Sequence, residues 1–593
     1  MQTAGQGLGP LCPTSKYVPI SREIEERIAE NLGALYGSAR VIELLPQVEA
    51  IIARHSVDPA VAPTQLSERD AFLIAYGNQV TSQCASPLQT LGHLLTEELS
   101  DLISGIHILP FFPYSSDDGF SVIDYRQVNS DLGTWDDIQR IGSHTRLMID
   151  AVVNHVSAQS EWFQAFLRGN PEYQDTFITV DPSVDLSSVI RPRDLPLLTH
   201  FDTAVGPRYV WTTFSADQID LNYANPEVLL EILDLLLFYV GNGAQVIRLD
   251  AIAFLWKQVG TQSIHLPQTH HAVKLMRAVL DAAAPGVLLI TETNVPHDEN
   301  ISYFGEGNDE ANLVYQFALP PLVLHTMTSG NSMRLAQWVS GLSLPSDDVT
   351  FFNFLASHDG IGLRPVADLL SEEELQALVA LPDLSGGAVS YRTLEDGGKA
   401  PYELNVTYLD ALMRTSGRSE DTQRAADRFL AAHAIMLAMP GLPGIYFHSL
   451  FGSRNDLEEI RRTGNVRSIN REKLELLSLR EELADRSSLR HQIFEGLVRL
   501  LRARASHPAF SPWSKHRVIE AESAVFGLMR EGPAGRRVLC VSEVAGTGLE
   551  IRIAPNGTMT SDLITGESVD PSRLWLAPYQ VRWILQEEEW EIA

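Results

Sequence analysis

The first 68 residues follow a helical rhythm. After Pro19, Ile24, Ile28, Leu32 and Leu35 recur at the spacing of one helix face. Ser21 is placed to cap that helix, and Glu23 and Glu25 put negative charge at its positive end. From residue 71 the rhythm changes to short, almost continuously apolar runs separated by helical stretches. These are Ala71–Tyr76, Gly105–Phe111, Arg146–Val153, Gln245–Leu249, Val287–Ile290, Leu313–Phe317, Val349–Leu355 and Gly444–Phe447. Apolar strands alternating with helices imply a parallel sheet buried on both faces, and this number of them a (β/α)8 TIM barrel.

The spacing between runs divides the chain further. The Pro-, Asp- and Thr-rich gap after the third run predicts an inserted lid domain over 156–215. The loop carrying Gly386-Gly387 and Gly397-Gly398 is expected to overhang the same barrel face. Beyond about 515 the runs are Arg517–Glu522, Ala524–Arg530, Val538–Glu543, Leu549–Ala554 and Val581–Leu585, a pattern of antiparallel strands and turns. The expected organisation is a helical segment over 1–68, a barrel over 69–155 and 216–514, and a C-terminal antiparallel β domain over 515–593.

Charge narrows the partners. A formal net charge of −30 repels nucleic acid and anionic membrane, so neither is expected as a partner. Any site for an anionic substrate must be assembled locally from Arg, Lys, His or backbone amides. Cys12, Cys84 and Cys540 form no CxxC pair, which argues against a disulfide framework or structural zinc. The opening residues lack a basic region followed by an apolar stretch, and the apolar stretch Leu229–Val240 is short and carries Glu231 and Asp234. A cytoplasmic protein, monomeric or homodimeric, with no metal and no organic cofactor is expected.

Active sites of such barrels gather at the C-terminal ends of the strands. There the chain reads Asp150-Ala-Val-Val-Asn154-His155, Arg248-Leu-Asp250-Ala251, Thr291-Glu292-Thr293 and Ser357-His358-Asp359-Gly360, with Tyr114-Ser-Ser-Asp117-Asp118-Gly119-Phe120 after the second strand. One acid after a strand is commonly a helix cap. Several converging on one mouth suit glycoside chemistry, in which a retaining enzyme needs an ionised carboxylate as nucleophile and a protonated one to assist the leaving group. Asp250 is the natural nucleophile, kept ionised by Arg248 two residues earlier on the same side of the strand. Glu292 on the next strand is the candidate acid/base, its proton affinity raised by Asp250. Asp359 would steady positive charge on the sugar, and His155 and His358 can donate to sugar hydroxyls.

These four strand-end segments, in this order, resemble the α-amylase superfamily of retaining α-glucosidases, whose assignments fall on the same three acids. Further segments resemble its sucrose-phosphorylase branch: Ile190-Arg191-Pro192-Arg193-Asp194, Tyr315-Gln-Phe-Ala-Leu-Pro-Pro321, Tyr402-Glu403-Leu-Asn405 and Arg467-Ser-Ile-Asn470. The resemblance implies phosphate held by Arg193 and Tyr402, and glucose gripped by Arg467 with Asp117 or Asp118. Glu403 departs from the Gln found in sucrose-specific members and could meet a polyol hydroxyl. Arg364, Arg392 and Lys399 add charge suited to a polar or anionic acceptor. The expected reaction is transfer of α-glucose from 2-O-α-glucosylglycerol or 2-O-α-glucosylglycerate to phosphate. Phosphorolysis of sucrose or sucrose 6'-phosphate, and plain α-glucoside hydrolysis or transglucosylation, are the alternatives.

Overall fold

The computed structural model describes residues 20–55, 65–393, 398–413, 422–553 and 559–586. Pro19, Cys12 and the opening stretch, Gly397, Ala554 and the acidic end from Glu587 lie outside them. Eight strands close into a barrel: β1 (Phe72–Ala75), β2 (Gly105–Ile108), β3 (Arg146–Ala151), β4 (Ala244–Leu249), β5 (Leu288–Thr291), β6 (Leu313–Tyr315), β7 (Thr350–Asn353) and β8 (Leu442–Tyr446). Each pairs in parallel with its sequence neighbours, and β8 returns to β1 through Phe72 opposite Gly444. Every expected run therefore overlaps a strand of the barrel.

Space inside the barrel is set by alternating large and small residues. The rings of Phe72 and Phe352 meet edge to face, 6.3 Å apart. Both need a glycine beside them. A Cβ on Gly105 would lie 2.5 Å from the Phe72 ring, and one on Gly444 would collide with Phe352. This is interdigitated packing at interior density, where one added methyl group has no free volume to enter.

The helical beginning is a pair of helices outside the barrel. The first spans Arg22–Tyr36 and is capped by Ser21, whose Oγ accepts from the Ile24 amide at 3.3 Å. It buries Ile28, Leu32 and Leu35, is tied to the barrel's outer helices by Arg27–Asp281 (3.0 Å), and donates from Tyr36 to the Tyr223 carbonyl. The second spans Ser38–His55 and buries Leu44, Val48, Ile51 and Ile52.

Two excursions rise over the C-terminal ends of the strands. Between β3 and β4 lie the hairpin Leu198–Thr203/Gly206–Trp211 and the pair His155–Ser157/Gln218–Asp220, with a small core around Val189, Leu197 and Trp211. Between β7 and β8, Ala388–Thr393 pairs with Lys399–Asn405, which in turn pairs with Ile361–Gly362.

The C-terminal sheet is antiparallel, in the order Lys515–Ile519, Val525–Glu531, Arg537–Glu543, Val581–Gln586. Its first strand starts two residues before the expected run. The run at Leu549 stands outside this sheet and pairs with Leu574–Leu576, a strand the apolar pattern did not single out because exposed Trp575 stands between its two leucines. No helix among the described residues is long and apolar enough to cross a membrane.

Gly105→Ala should destabilise the fold by about 1–3 kcal/mol in a denaturant titration, with part of the loss recovered in Gly105→Ala/Phe72→Leu. A single variant as stable as the parent would show that the Phe72 ring has room to move.

Candidate active site

The floor of the site is a line of buried polar groups running across three adjacent strands. On β2, His107 interrupts an apolar run, and its Nε2 lies 2.7 Å from Asp150 Oδ2 at the end of β3. Burial lowers the imidazole's proton affinity more than Asp150 restores it, so His107 is neutral and donates from Nε2. Asp150 pairs in register with Arg248 on β4. The Arg248 guanidinium donates through Nη1 both to Asp150 and to Asp250 Oδ1, the latter at 2.8 Å. Burial would raise Asp150, but Arg248 and His107 outweigh it and hold the carboxyl below its usual range.

Arg248 thus shares one charge between two acids, where the sequence paired it with Asp250 alone. Burial, with Glu292 and Asp150 nearby, raises Asp250 despite Arg248. Glu292 at the end of β5 is also raised, first by burial and then by Asp359. The two titrate as a pair. Their partners differ: Asp250 accepts from a guanidinium, whereas Glu292 Oε2 accepts from the Ala251 amide at 2.9 Å. The proton of the pair therefore rests on Glu292, with the charge left beside Arg248. Ala251 holds its amide there in a left-handed conformation (φ 49°), an uncommon state for a residue with a Cβ and a local strain that the surrounding barrel sustains.

The wall opposite is built by the loop after β2 and the segment Val466–Asn470. Asp117 and Asp118 are both left-handed (φ 54° and 49°), followed by Gly119, where a Cβ would lie 2.6 Å from the Pro110 carbonyl oxygen. This twist sends the two acids in different directions. Asp117 faces the cavity and meets Arg193 Nη2 at 2.7 Å, while Asp118 turns away to pair with Arg471. Asp117 is the acid of the two that lines the site. Burial opposes its ionisation, but Arg193, Arg467 and Arg471 hold it well below the ordinary carboxylate range.

Arg467 lies 2.8 Å from Asp359 and grips Glu403 with two nitrogens, Nη2 at 2.8 Å from Oε1 and Nε at 3.2 Å from Oε2. Glu403 is therefore engaged by a guanidinium while it also lines the cavity. Asp359 stays ionised, because Arg467, His358 and Arg471 overcome its burial. Asn470 and Arg471 donate to the carbonyls of Ser357, His358 and Asp359, fixing the turn after β7. His358 stacks on Phe120 with ring centroids 4.6 Å apart, and His155 Nε2 lies 2.8 Å from the Phe120 carbonyl. Burial lowers both imidazoles, to about 3 and about 4, so both are neutral hydrogen-bonding groups near pH 7.

These groups enclose a cavity of about 530 Å³, including its part open to solvent. Every residue named from the sequence for catalysis, sugar or phosphate lines it except Arg248, which lies beneath Asp250, and Asp118. Tyr402 closes one side from the overhanging hairpin. Phe120, Phe214, Gln218 and Asn294 also line it and were missed. His107 and the pairing of Asp150 were missed as well, although a histidine inside an apolar strand is a legible signal. Of the cations around the rim, Arg364 pairs with Glu299 (3.2 Å) and Lys399 with Asp194 (2.5 Å).

A closed barrel with coupled carboxyls at its C-terminal mouth defines an enzyme of the amylase type, and comparisons place the chain more narrowly. Residues 99–360 match the alpha-amylase catalytic-domain family. The chain is 50% identical over 538 residues to a glucosylglycerate phosphorylase of Spirochaeta thermophila, covering 87% of this chain and 91% of that one. It is 48% identical to one of Allomeiothermus silvanus, covering 95% and 99%. The crystal structure of sucrose 6F-phosphate phosphorylase from Thermoanaerobacter thermosaccharolyticum superimposes with a TM-score of 0.72 at 26% identity, over 86% of this chain and 99% of that one. The chain belongs to the alpha-amylase family and, within it, to the glucoside phosphorylases, enzymes that transfer a glycosyl group.

Removing Asp150 from the floor strands the buried Arg248 charge with half its compensation. Asp150→Ala should cost about 3–5 kcal/mol of stability in a denaturant titration. A loss below about 1 kcal/mol would show that Asp250 alone satisfies Arg248.

Proposed function

We propose that the enzyme cleaves 2-O-α-glucosylglycerate with phosphate, giving α-glucose 1-phosphate and glycerate with retention at the sugar carbon. The observation that carries this reading is that one cavity holds both the coupled Asp250/Glu292 pair and Arg193, whose only ion pair among the described residues is with Asp117. The names of the relatives at 48% and 50% identity support glycerate as the acceptor.

In the first step Asp250 attacks the anomeric carbon, and Glu292 passes its proton to the departing glycerate oxygen. This leaves a glucosyl ester on Asp250 and Glu292 as a carboxylate. Phosphate then enters the space glycerate leaves, Glu292 takes a proton from it, and a phosphate oxygen attacks the anomeric carbon, breaking its bond to the Asp250 carboxylate oxygen. Glucose 1-phosphate departs and Asp250 is free again. Asp359, Asp117 and Arg467 hold the glucosyl unit. His155 and His358, both neutral, offer hydrogen bonds without adding charge next to the developing cation. Arg193 and Tyr402 receive the phosphate dianion. Water competes for the ester, so selective phosphorolysis depends on those two groups.

The decisive assay incubates the enzyme with 2-O-α-glucosylglycerate in the presence and absence of phosphate. Glucose 1-phosphate should form in amounts equal to glycerate, with little free glucose; release of free glucose alone in high phosphate would make the enzyme a hydrolase. In Arg193→Ala the Michaelis constant for phosphate should rise about ten- to a hundredfold, since a charge-assisted hydrogen bond is worth about 1.5–3 kcal/mol. The ratio of glucose to glucose 1-phosphate should climb with it. An unmoved ratio would assign phosphate to other groups.

The pH profile follows from the proton on Glu292. Because burial raises its affinity, the acid form is lost only as pH rises through the pair's upper pKa, so kcat/KM for glucosylglycerate should fall on the alkaline side. In Glu292→Gln that limb should vanish for α-glucosyl fluoride, whose leaving group needs no proton. A fluoride profile in the variant that keeps the alkaline limb would move the acid elsewhere.

A further inference from the structure

The excursion between β7 and β8 carries Arg364, Arg392 and Lys399 in a chain of net charge −30, and two of them are spoken for. Arg364 is held by Glu299 and Lys399 by Asp194. Arg392 is different: it is half-buried, and its guanidinium makes no hydrogen bond or ion pair with any described residue. Burial and the neighbouring Arg364 both disfavour its charge, with Tyr402 acting the other way, so among the described residues no carboxylate neutralises it.

Its position is fixed by the overhanging hairpin. Arg392 lies opposite Ala400 on the strand Lys399–Asn405, past an irregularity between Ser390 and Tyr391. The register shift leaves Tyr402 between Pro401, opposite Tyr391, and Glu403, opposite Ser390, so Tyr402 is the extra residue of a bulge next to Arg392. Arg392 and Tyr402 are close enough to interact electrostatically, and the small Ala400 opposite Arg392 adds no bulk there. Tyr402 lines the catalytic cavity. The hairpin therefore presents, beside the tyrosine that lines the cavity, a guanidinium with no charged partner among the described residues.

We propose that Arg392 recognises the carboxylate of the acceptor, which is glycerate if the functional reading above holds. A planar guanidinium with paired N–H donors matches a carboxylate in geometry as well as charge. Glycerol, of the same skeleton but uncharged, offers it nothing comparable. Arg392 is a specificity residue in this account: it touches the part of the substrate that leaves, and the bond-making carbon lies over Asp250.

The test runs the reaction in the synthetic direction, with α-glucose 1-phosphate as donor and either D-glycerate or glycerol as acceptor. It compares the parent enzyme with Arg392→Ala, Arg392→Gln and Arg392→Lys. Circular dichroism and thermal unfolding verify that each variant is folded. The ratio of kcat/KM for glycerate to that for glycerol should fall at least about tenfold in the Ala and Gln variants, mainly through KM for glycerate. The Lys variant should recover part of it, since charge survives without the fork. Variants that keep the parent's preference would overturn this inference alone. So would a loss confined to KM for phosphate in the phosphorolytic direction, which would make Arg392 a phosphate group. A parent enzyme with no preference for glycerate would overturn the functional reading together with this one.

Discussion

One guanidinium organises the catalytic floor. Arg248 lies buried between Asp150 and Asp250, and its charge is the reason two carboxylates can exist a strand apart inside the mouth of the barrel. Neither acid is fully satisfied by it. Asp150 has a second donor in His107 and is held ionised; Asp250 has none among the described residues, and burial with a neighbouring Glu292 raises it. The pair at the site is therefore poised to hold one proton near neutrality, which is the state a retaining mechanism starts from. Parallel pairing of adjacent strands sets this geometry, since Asp150 and Arg248 are register partners and Asp250 follows two positions on.

The same logic of shared charge extends around the cavity. Arg467 is divided between Asp359 and Glu403, and Arg471 between Asp118 and the more distant Asp359. Arg193 is held by Asp117 alone among the described residues. An anionic protein that must accept an anionic substrate meets a difficulty here, because each cation recruited for binding also attracts the protein's own carboxylates. The excursion between β7 and β8 shows both outcomes: Arg364 and Lys399 are neutralised from within, while Arg392 has no carboxylate partner among the described residues.

Much of this was legible in the sequence because the barrel converts strand-end position directly into proximity. Asp250, Glu292, Asp359, His155 and His358 could be named from where apolar runs stop, and the structure brings them to one cavity. What could not be read were relations that depend on direction. Asp117 and Asp118 are adjacent and chemically identical, and only the left-handed turn separates an inward acid from an outward one. The pairing of Glu403 with Arg467 was hidden because the two lie 64 residues apart. The second partner of Arg248, Asp150, was hidden for the same reason, since it sits on another strand. Phe120 and Phe214 were missed because an aromatic residue in a loop carries no periodic signal.

The central claim is that Asp250 carries the glucosyl group between donor and phosphate. It is tested most directly by treating the Glu292→Gln protein with α-glucosyl fluoride, digesting it, and weighing the peptide that contains Asp250. The account predicts that this peptide gains the mass of one glucosyl residue, and that added phosphate discharges it as α-glucose 1-phosphate. An unlabelled Asp250 peptide beside a glucosylated one from elsewhere in the chain, or fluoride turnover in Asp250→Asn at the parent rate, would contradict it.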